Sequence, residues 1–528
     1  MANRTTDEQE QKRLELQASL DAQKSALERN KLGQFATPTA LAREIVAHGA
    51  RLLGDQPIEF LDPAIGTGSF YSALSASVSA DRIRSALGFE IDPHYADPAQ
   101  KLWKGHALEM RLSDFTKVEP SVSELANLII CNPPYVRHHH IGKNVKEGLQ
   151  TRTEAACGVC INGLSGLYCY FLGLAHRWMK PEGIAGWLIP SEFMDVNYGQ
   201  QLKQYLLTKV ELLHIHRFDP ADAQFTDALV SSAVVWIRNK RPSAGHSVRF
   251  TFGGTLANPV VARDVQIDEL RSESKWTRYP LAQAASHKSS VTLGDLFTIS
   301  RGIATGDNSF FIMTPDQIAE RELPMECFTP VLPSTRYIEG NEIQADEVGN
   351  PIVGKQLFLL DTKLPEEQIA ARYPALWAYL QTGRRGETPV AERYLCRNKK
   401  LWYAQENRPA APILCTYMGR SRQGTKPFRF ILNHSKATAC NVYLMLYPRA
   451  TLAKAIAREP ALLRKIWTFL NEISAEELQG NGRVYGGGLH KLEPKELRNV
   501  SVDGLIQSLS PLYSFPGYQD DLFHVAAE

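Results

Sequence analysis

Residues 58–70 read Ile58-Glu59-Phe60-Leu61-Asp62-Pro63-Ala64-Ile65-Gly66-Thr67-Gly68-Ser69-Phe70. A short apolar run closes on an acid, passes a G-x-G turn and opens a segment of helix formers. That pattern predicts a strand, a tight glycine loop and a helix. Gly66 and Gly68 let the backbone turn and approach a ligand closely. The third glycine of the dinucleotide fingerprint is missing, and no Lys-Ser/Thr follows to make a triphosphate loop. Alone, the loop is equally a plain strand-to-helix turn.

Outward from this point, apolar strands alternate with helical segments over residues 32–240. Strands are expected at 58–61, 86–90, 128–131, 184–189, 212–215 and 233–237. This alternation predicts a doubly wound, Rossmann-like α/β sheet. The strand tips carry a series of polar groups. Glu90 lies 28 residues after Asp62, where a carboxylate can bind ribose hydroxyls. Asp114 could accept from an adenine amine, and Phe115 could pack on its ring. Each is more often structural when taken singly. In order at successive tips, they describe a pocket for an adenosine-containing ligand.

The fourth strand ends in Asn132-Pro133-Pro134-Tyr135. Two prolines stiffen the chain and remove two donors, leaving carbonyl acceptors. Asn132 adds an amide oxygen and Tyr135 a planar face. Such a site suits an exocyclic amine on a planar conjugated group.

With this tetrapeptide the chain resembles the gamma-class, adenine-N6-specific DNA methyltransferases of bacterial restriction–modification systems. Gly33-Gln34-Phe35-Ala36-Thr37-Pro38 is similar to their first motif, although Thr37 and Pro38 also read as a helix start. The glycine loop, the acid, Asp114-Phe115 and Asn132–Tyr135 follow in the family order. Leu167–Phe171, the strand near Trp187–Pro190 and Gln224–Ser232 continue it; Gly302–Phe310 resembles the start of the family's recognition domain, and Tyr485–Pro494 a late motif. The match is firm over about 33–240 and patchy beyond.

The resemblance implies S-adenosyl-L-methionine as methyl donor, held by Thr37, Asp62, Gly66, Gly68, Glu90, Asp114, Phe115 and Asn132. It implies double-stranded DNA as partner and a flipped adenine as target. Asn132 and the Pro133 carbonyl would accept from its amine, with Tyr135 stacking on one face and Phe225 on the other. Phe225 is also a reasonable core residue. Cytosine-N4 methylation is the nearer rival, and protein glutamine methylation a more distant one. A non-catalytic DNA-binding subunit, or a subunit needing a separate specificity protein, is a further alternative.

Composition agrees with this class. The 528 residues carry a net charge of only +2, yet Arg372–Leu470 holds eighteen basic and four acidic residues with interleaved aromatics. A basic stretch on a nearly neutral chain fits a polyphosphate partner; solvated faces paired with distant acids are the bland alternative. Arg384, Arg385, Arg420, Arg422 and Lys426 are the candidate DNA contacts. Three domains are expected: an exposed N-terminal helix (1–31), a catalytic domain (32–280) and a mixed α+β recognition domain (281–528). No run approaches the roughly 18 apolar residues of a spanning helix. The first thirty residues are polar and the eight cysteines suggest reduced thiols. The expectation is therefore a cytoplasmic protein; the resemblance adds a separately encoded restriction endonuclease as partner, with the chain a monomer or homodimer. His138-His139-His140 with Cys157 and Cys160 is too irregular for a zinc site.

Overall fold

The computed structural model describes residues 2–219, 231–280, 291–420, 426–475, 477–478, 482–485 and 489–505. The chain divides into two compact units, with the main break after Ala284.

The first unit is built on a nine-stranded sheet. Its strands are β1 (Ile58–Asp62), β2 (Ile83–Glu90), β3 (Leu108–Leu112), β4 (Ala126–Cys131), β5 (Met179–Pro190), β6 (Glu211–Arg217), β7 (Ser232–Arg238), β8 (Ser247–Gly254) and β9 (Pro259–Gln266). The order is β3-β2-β1-β4-β5-β7-β6-β8-β9. The first five are mutually parallel, and β7 runs antiparallel between β5 and β6. Buried on both faces, the central strands are near-continuous apolar runs, as a parallel sheet requires. Phe60, Leu128, Ile130 and Trp236 project into one core with Ile45 and Leu74; Leu61, Ile129, Trp187 and Val235 project into the other with Leu149 and Tyr170. Fully burying each such side chain is worth about 1.5–3 kcal/mol. The expected doubly wound sheet is present. The β8–β9 hairpin lengthens it beyond the strands expected from sequence. In β1-β4 order the strand sequence reverses direction, and the carboxyl ends of these strands are where ligands bind in such sheets.

The helices are α1 (Ala2–Ala22), α2 (Ala26–Leu32), α3 (Thr39–Leu53), α4 (Ser69–Ser77), α5 (Pro93–Leu102), α6 (Lys143–Cys157), α7 (Leu167–Ala175) and α8 (Gln200–Thr208). Two expectations fail here. The N-terminal segment is not one helix: Ser25 caps α2 in a capping box with Glu28, which interrupts the run. Nor is it a solvated leader, because α1 packs on α4 and α5 and buries Leu20 and Arg13.

A buried histidine group lies on the α3 side of the sheet. His214 and His216 share the Thr251 hydroxyl at 2.7 and 2.8 Å, and His48 approaches His214 at 3.4 Å. Burial pushes His48 down to about 4, His214 to about 3 and His216 to about 4. These groups take up protons in the unfolded chain below about pH 6.5 while remaining neutral in the fold. Stability is therefore expected to fall as pH drops from 6.5 toward 4, by up to about 1.4 kcal/mol per unit for each group. Urea midpoints should decline less steeply over this window in His216→Gln than in the parent; parallel declines would remove the cluster from the account.

The second unit is mixed α+β. Its largest sheet has the order Phe297–Arg301, Tyr443–Pro448, Ile413–Thr416, Phe430–Asn433, Glu342–Ile343. A second sheet orders Ile312–Met313, Leu357–Leu360, Phe328–Leu332 and Thr438–Ala439. Helix Ala461–Glu472 packs Leu462, Ile466 and Leu470 into the core beside the first sheet. No helix among the described residues is long and apolar enough to cross a membrane.

Candidate active site

β1 and β2 end side by side in the two acids singled out from sequence. Asp62 is 1% exposed; its Oδ1 accepts from the Ala64 N–H at 3.1 Å. Burial raises its carboxyl to about 7. Glu90 accepts from the Gly66 N–H at 3.1 Å and the Asp92 N–H at 2.9 Å, so it braces the glycine loop. Burial raises its carboxyl as well, against those two bonds. No cation pairs with either acid among the described residues. Two acids sunk at adjacent strand tips without a counter-charge fit a ligand that brings its own positive charge.

The loop between them leaves room for such a ligand. Gly66 has φ +56 and faces empty space: a Cβ built there meets nothing within 4 Å. Gly68 has φ +91, and a Cβ there would lie 2.6 Å from Trp103 Nε1. That indole N–H donates to the Thr67 carbonyl at 2.9 Å.

Asn132 follows β4 at the next strand tip. Its Nδ2 donates to the Phe35 carbonyl at 2.9 Å and to Thr37 Oγ1 at 3.2 Å. A carbonyl can only accept, so the amide has one possible orientation. Its Oδ1 is buried and has no partner. A buried amide oxygen without a donor costs about 1–3 kcal/mol, and a ligand N–H at this point removes that cost. Thr37 therefore does not cap α3, as its sequence position allowed. The helix starts from Pro38 without a side-chain cap. The Tyr135 N–H reaches the Gly33 carbonyl at 3.4 Å, its hydroxyl donates to the Leu188 carbonyl at 3.0 Å, and its ring lies 5.8 Å from Phe35. The segment at 33–37 is thus bonded directly to the tetrapeptide 132–135.

The Ser113 N–H donates to the Glu90 carbonyl at 2.9 Å, which sets Asp114 and Phe115 at the neighbouring strand tip. Asp114 accepts from the Thr116 N–H and hydroxyl and pairs with Lys117 at 3.2 Å. Phe115 is 3% exposed and packs 5.5 Å from each of Phe89, Phe171 and Trp178. In this structure its ring is therefore packed within the core. Phe225 and Arg422 lie outside the described residues. Arg385 and Arg420 are exposed. Arg384 pairs with Glu366. Lys426 donates to the Asn471 and Ile473 carbonyls at 2.6 and 2.8 Å, where it neutralises the end of helix Ala461–Glu472. His138–His140 form a single turn directly after the tetrapeptide. Among the described residues no three His, Cys, Asp or Glu side chains are grouped to hold a metal.

Sequence reasoning missed the residues that hold the glycine loop from behind. Trp103 offered no motif. Glu10 and Arg13 have the spacing of an ordinary surface pair on α1, yet both are buried.

Residues 95–225 match the model of the Eco57I restriction-modification methylase family, and residues 273–515 that of the C-terminal domain of type II methyltransferase M.Eco57I. The chain is 26% identical over 481 residues to type II methyltransferase M.XamI of Xanthomonas campestris pv. amaranthicola, covering 90% of this chain and 85% of that protein. It is 25% identical over 488 residues to M.AccI of Acinetobacter calcoaceticus, covering 89% and 85%. Among solved structures, the type IIL restriction-modification enzyme MmeI in complex with DNA is similar in fold, with a TM-score of 0.53 and 13% identity. The match covers 86% of this chain and 63% of that longer one.

Proposed function

The chain belongs to the type II restriction–modification methyltransferases with S-adenosyl-L-methionine as cofactor, and from that premise we propose that it methylates N6 of a specific adenine in duplex DNA, protecting host DNA against a separately encoded endonuclease. The observation that carries this reading is the orphaned Asn132 Oδ1. S-adenosyl-L-methionine, when bound, supplies an electrophilic methyl group on a sulfonium. Asp62 and Glu90 offer it counter-charge and hydrogen-bond acceptors, and Gly66 offers close approach.

The amine of a base is unreachable within the stack, so the target adenine leaves the duplex. Asn132 Oδ1 and the Pro133 carbonyl would accept from the N6 amine. These bonds draw the nitrogen lone pair out of ring conjugation and orient it for attack. They also strengthen as positive charge develops on that nitrogen. Positioning supplies the remainder. No strong general base is needed, since the methylated nitrogen is acidic enough to lose its proton readily. Tyr135 carries a ring suited to stacking on the extruded base, and its hydroxyl bond to Leu188 fixes that ring. Phe225 would support the opposite face.

Cytosine-N4 methylation would use the same acceptors. Asparagine at position 132, where serine is common in cytosine-N4 enzymes, favours adenine. The deciding experiment is transfer of labelled methyl to plasmid DNA, with single-molecule sequencing of the product. Methyl at adenine N6 in one short motif supports the proposal. Methyl at cytosine N4 corrects the base, and no transfer to any DNA rejects it.

The second unit would read the duplex, with Arg385 and Arg420 exposed for phosphate contact. Lys426 is a weaker candidate, because its ammonium already serves a helix end. DNA affinity should accordingly fall by about 10³ or more between roughly 50 and 200 mM salt, if six or more phosphates are neutralised. A flat profile in a salt titration would remove the basic stretch from DNA binding. The enzyme would act in the cytoplasm, where its substrate is.

A further inference from the structure

The first helix carries a polar network whose far end is the glycine loop. Arg13 is 1% exposed, a guanidinium withdrawn from water almost completely. Glu10, one turn earlier, meets it with two bonds of 2.7 Å. The Glu10 carboxylate also accepts from Ser72 in the first turn of α4 at 2.6 Å and from Thr39 at the start of α3. Arg13 Nη1 donates to the hydroxyl of Thr67 at 3.1 Å. That hydroxyl donates in turn to Gln17 Oε1 at 2.6 Å.

Thr67 is the residue between Gly66 and Gly68. Both neighbours have positive φ and no side chain, so neither can hold the loop. One turn bond lies within the loop, from the Gly68 N–H to the Ile65 carbonyl at 2.9 Å; the rest of its shape is set from outside: Arg13 and Gln17 grip the Thr67 hydroxyl, Trp103 the Thr67 carbonyl, and Glu90 the Gly66 N–H. The same network reaches Thr39, two residues beyond the Thr37 hydroxyl that orients Asn132. A buried ion pair is a poor device for stability, because desolvation offsets most of its attraction. It is a good device for fixing one geometry.

We propose that Arg13 and Gln17 are positioning residues for the methyl donor, acting through Thr67 to hold the glycine loop in its binding shape before the donor arrives. The idea rests on the donor site being the one assigned above. A preorganised loop avoids an ordering cost on binding. Loss of the grip then weakens donor affinity more than it alters the transfer step.

Three single variants, Arg13→Met, Gln17→Leu and Thr67→Val, and one double variant, Arg13→Met/Thr67→Val, test this. Gln17→Leu and Thr67→Val leave the Glu10–Arg13 pair intact, so they stay informative if Arg13→Met does not fold. Donor affinity is measured by calorimetry on the full chain, together with thermal midpoints without donor and a kinetic split. Each single variant is expected to weaken donor binding roughly tenfold, with KM for the donor rising in parallel and kcat moving less than twofold. The double variant should be no weaker than the worse single, since both changes break one linkage. Unchanged donor affinity with lowered thermal midpoints would make the network structural only and overturn the proposal. Multiplicative losses near a hundredfold in the double would also overturn it. Failure of the parent protein to bind donor at all would instead overturn the assignment of the site.

Discussion

Asn132→Ala is expected to lower kcat by about 10³ or more while leaving donor and DNA binding within a few-fold. Removing one preorganised electrostatic partner of a transition state typically costs about 10²–10³ in rate. Here the side chain also sets the direction in which the amine lone pair points, which adds a positioning loss. Its amide is fixed at the nitrogen end by Phe35 and Thr37, and only the oxygen is left over. Two further substitutions sharpen the test. Asn132→Ser keeps a hydroxyl acceptor and should retain part of the rate. Asn132→Asp sets an anionic oxygen against the Phe35 carbonyl, which accepts and cannot donate, so it should fold less stably and transfer poorly. Single-turnover rates at saturating donor and DNA, with DNA affinity by anisotropy, separate these effects. An alanine variant that transfers methyl at the parent rate would exclude Asn132 from the chemistry.

What the sequence disclosed follows the physics of each element. The strands at 58–61, 128–131 and 184–189 were legible because a sheet buried on both faces demands unbroken apolar runs, and the observed strands contain all three. Asp62, Glu90 and Asn132 stand out in the sequence because a polar group follows or ends each apolar run, and the structure brings them to neighbouring strand tips. Polar burial left no such trace. Glu10 and Arg13 lie in a helix that reads as solvent-facing, since an apolar stripe is the only signal of burial that periodicity carries. Phe115 shows what sequence leaves open: an aromatic after an acid at a strand tip suggests a ligand, and the structure adds three neighbouring rings from β2, α7 and the turn before β5, a packing that sequence does not display. The capping box at Ser25 and Glu28 was readable as a break between α1 and α2, but an uninterrupted run of helix formers masked it. Lys426 shows the limit of counting charge. Its place in a basic stretch suggested phosphate, and its neighbours turn out to be helix carbonyls.

Gly66→Ala should separate ligand space from fold more cleanly than any other change in the glycine loop. Alanine at φ +56 costs about 1–2 kcal/mol in backbone strain, and its methyl group meets no protein atom within 4 Å. The backbone N–H that Glu90 accepts from is retained. The variant should therefore fold, with a thermal midpoint only a few degrees below the parent. The methyl group nonetheless stands in the open space of the loop, the proposed seat of the donor. Donor affinity should fall by roughly a hundredfold, equivalent to about 2.7 kcal/mol. Gly68→Ala is the contrasting case. Its Cβ would lie 2.6 Å from Trp103 Nε1 and break the bond that holds the Thr67 carbonyl, at a position with φ +91. That variant should lose thermal stability and donor binding together. Calorimetric titration with donor and a thermal melt of each variant decide the matter. If Gly66→Ala binds donor as tightly as the parent, the open face of the loop is not the donor's seat, and the paired acids at the ends of β1 and β2 must serve another ligand.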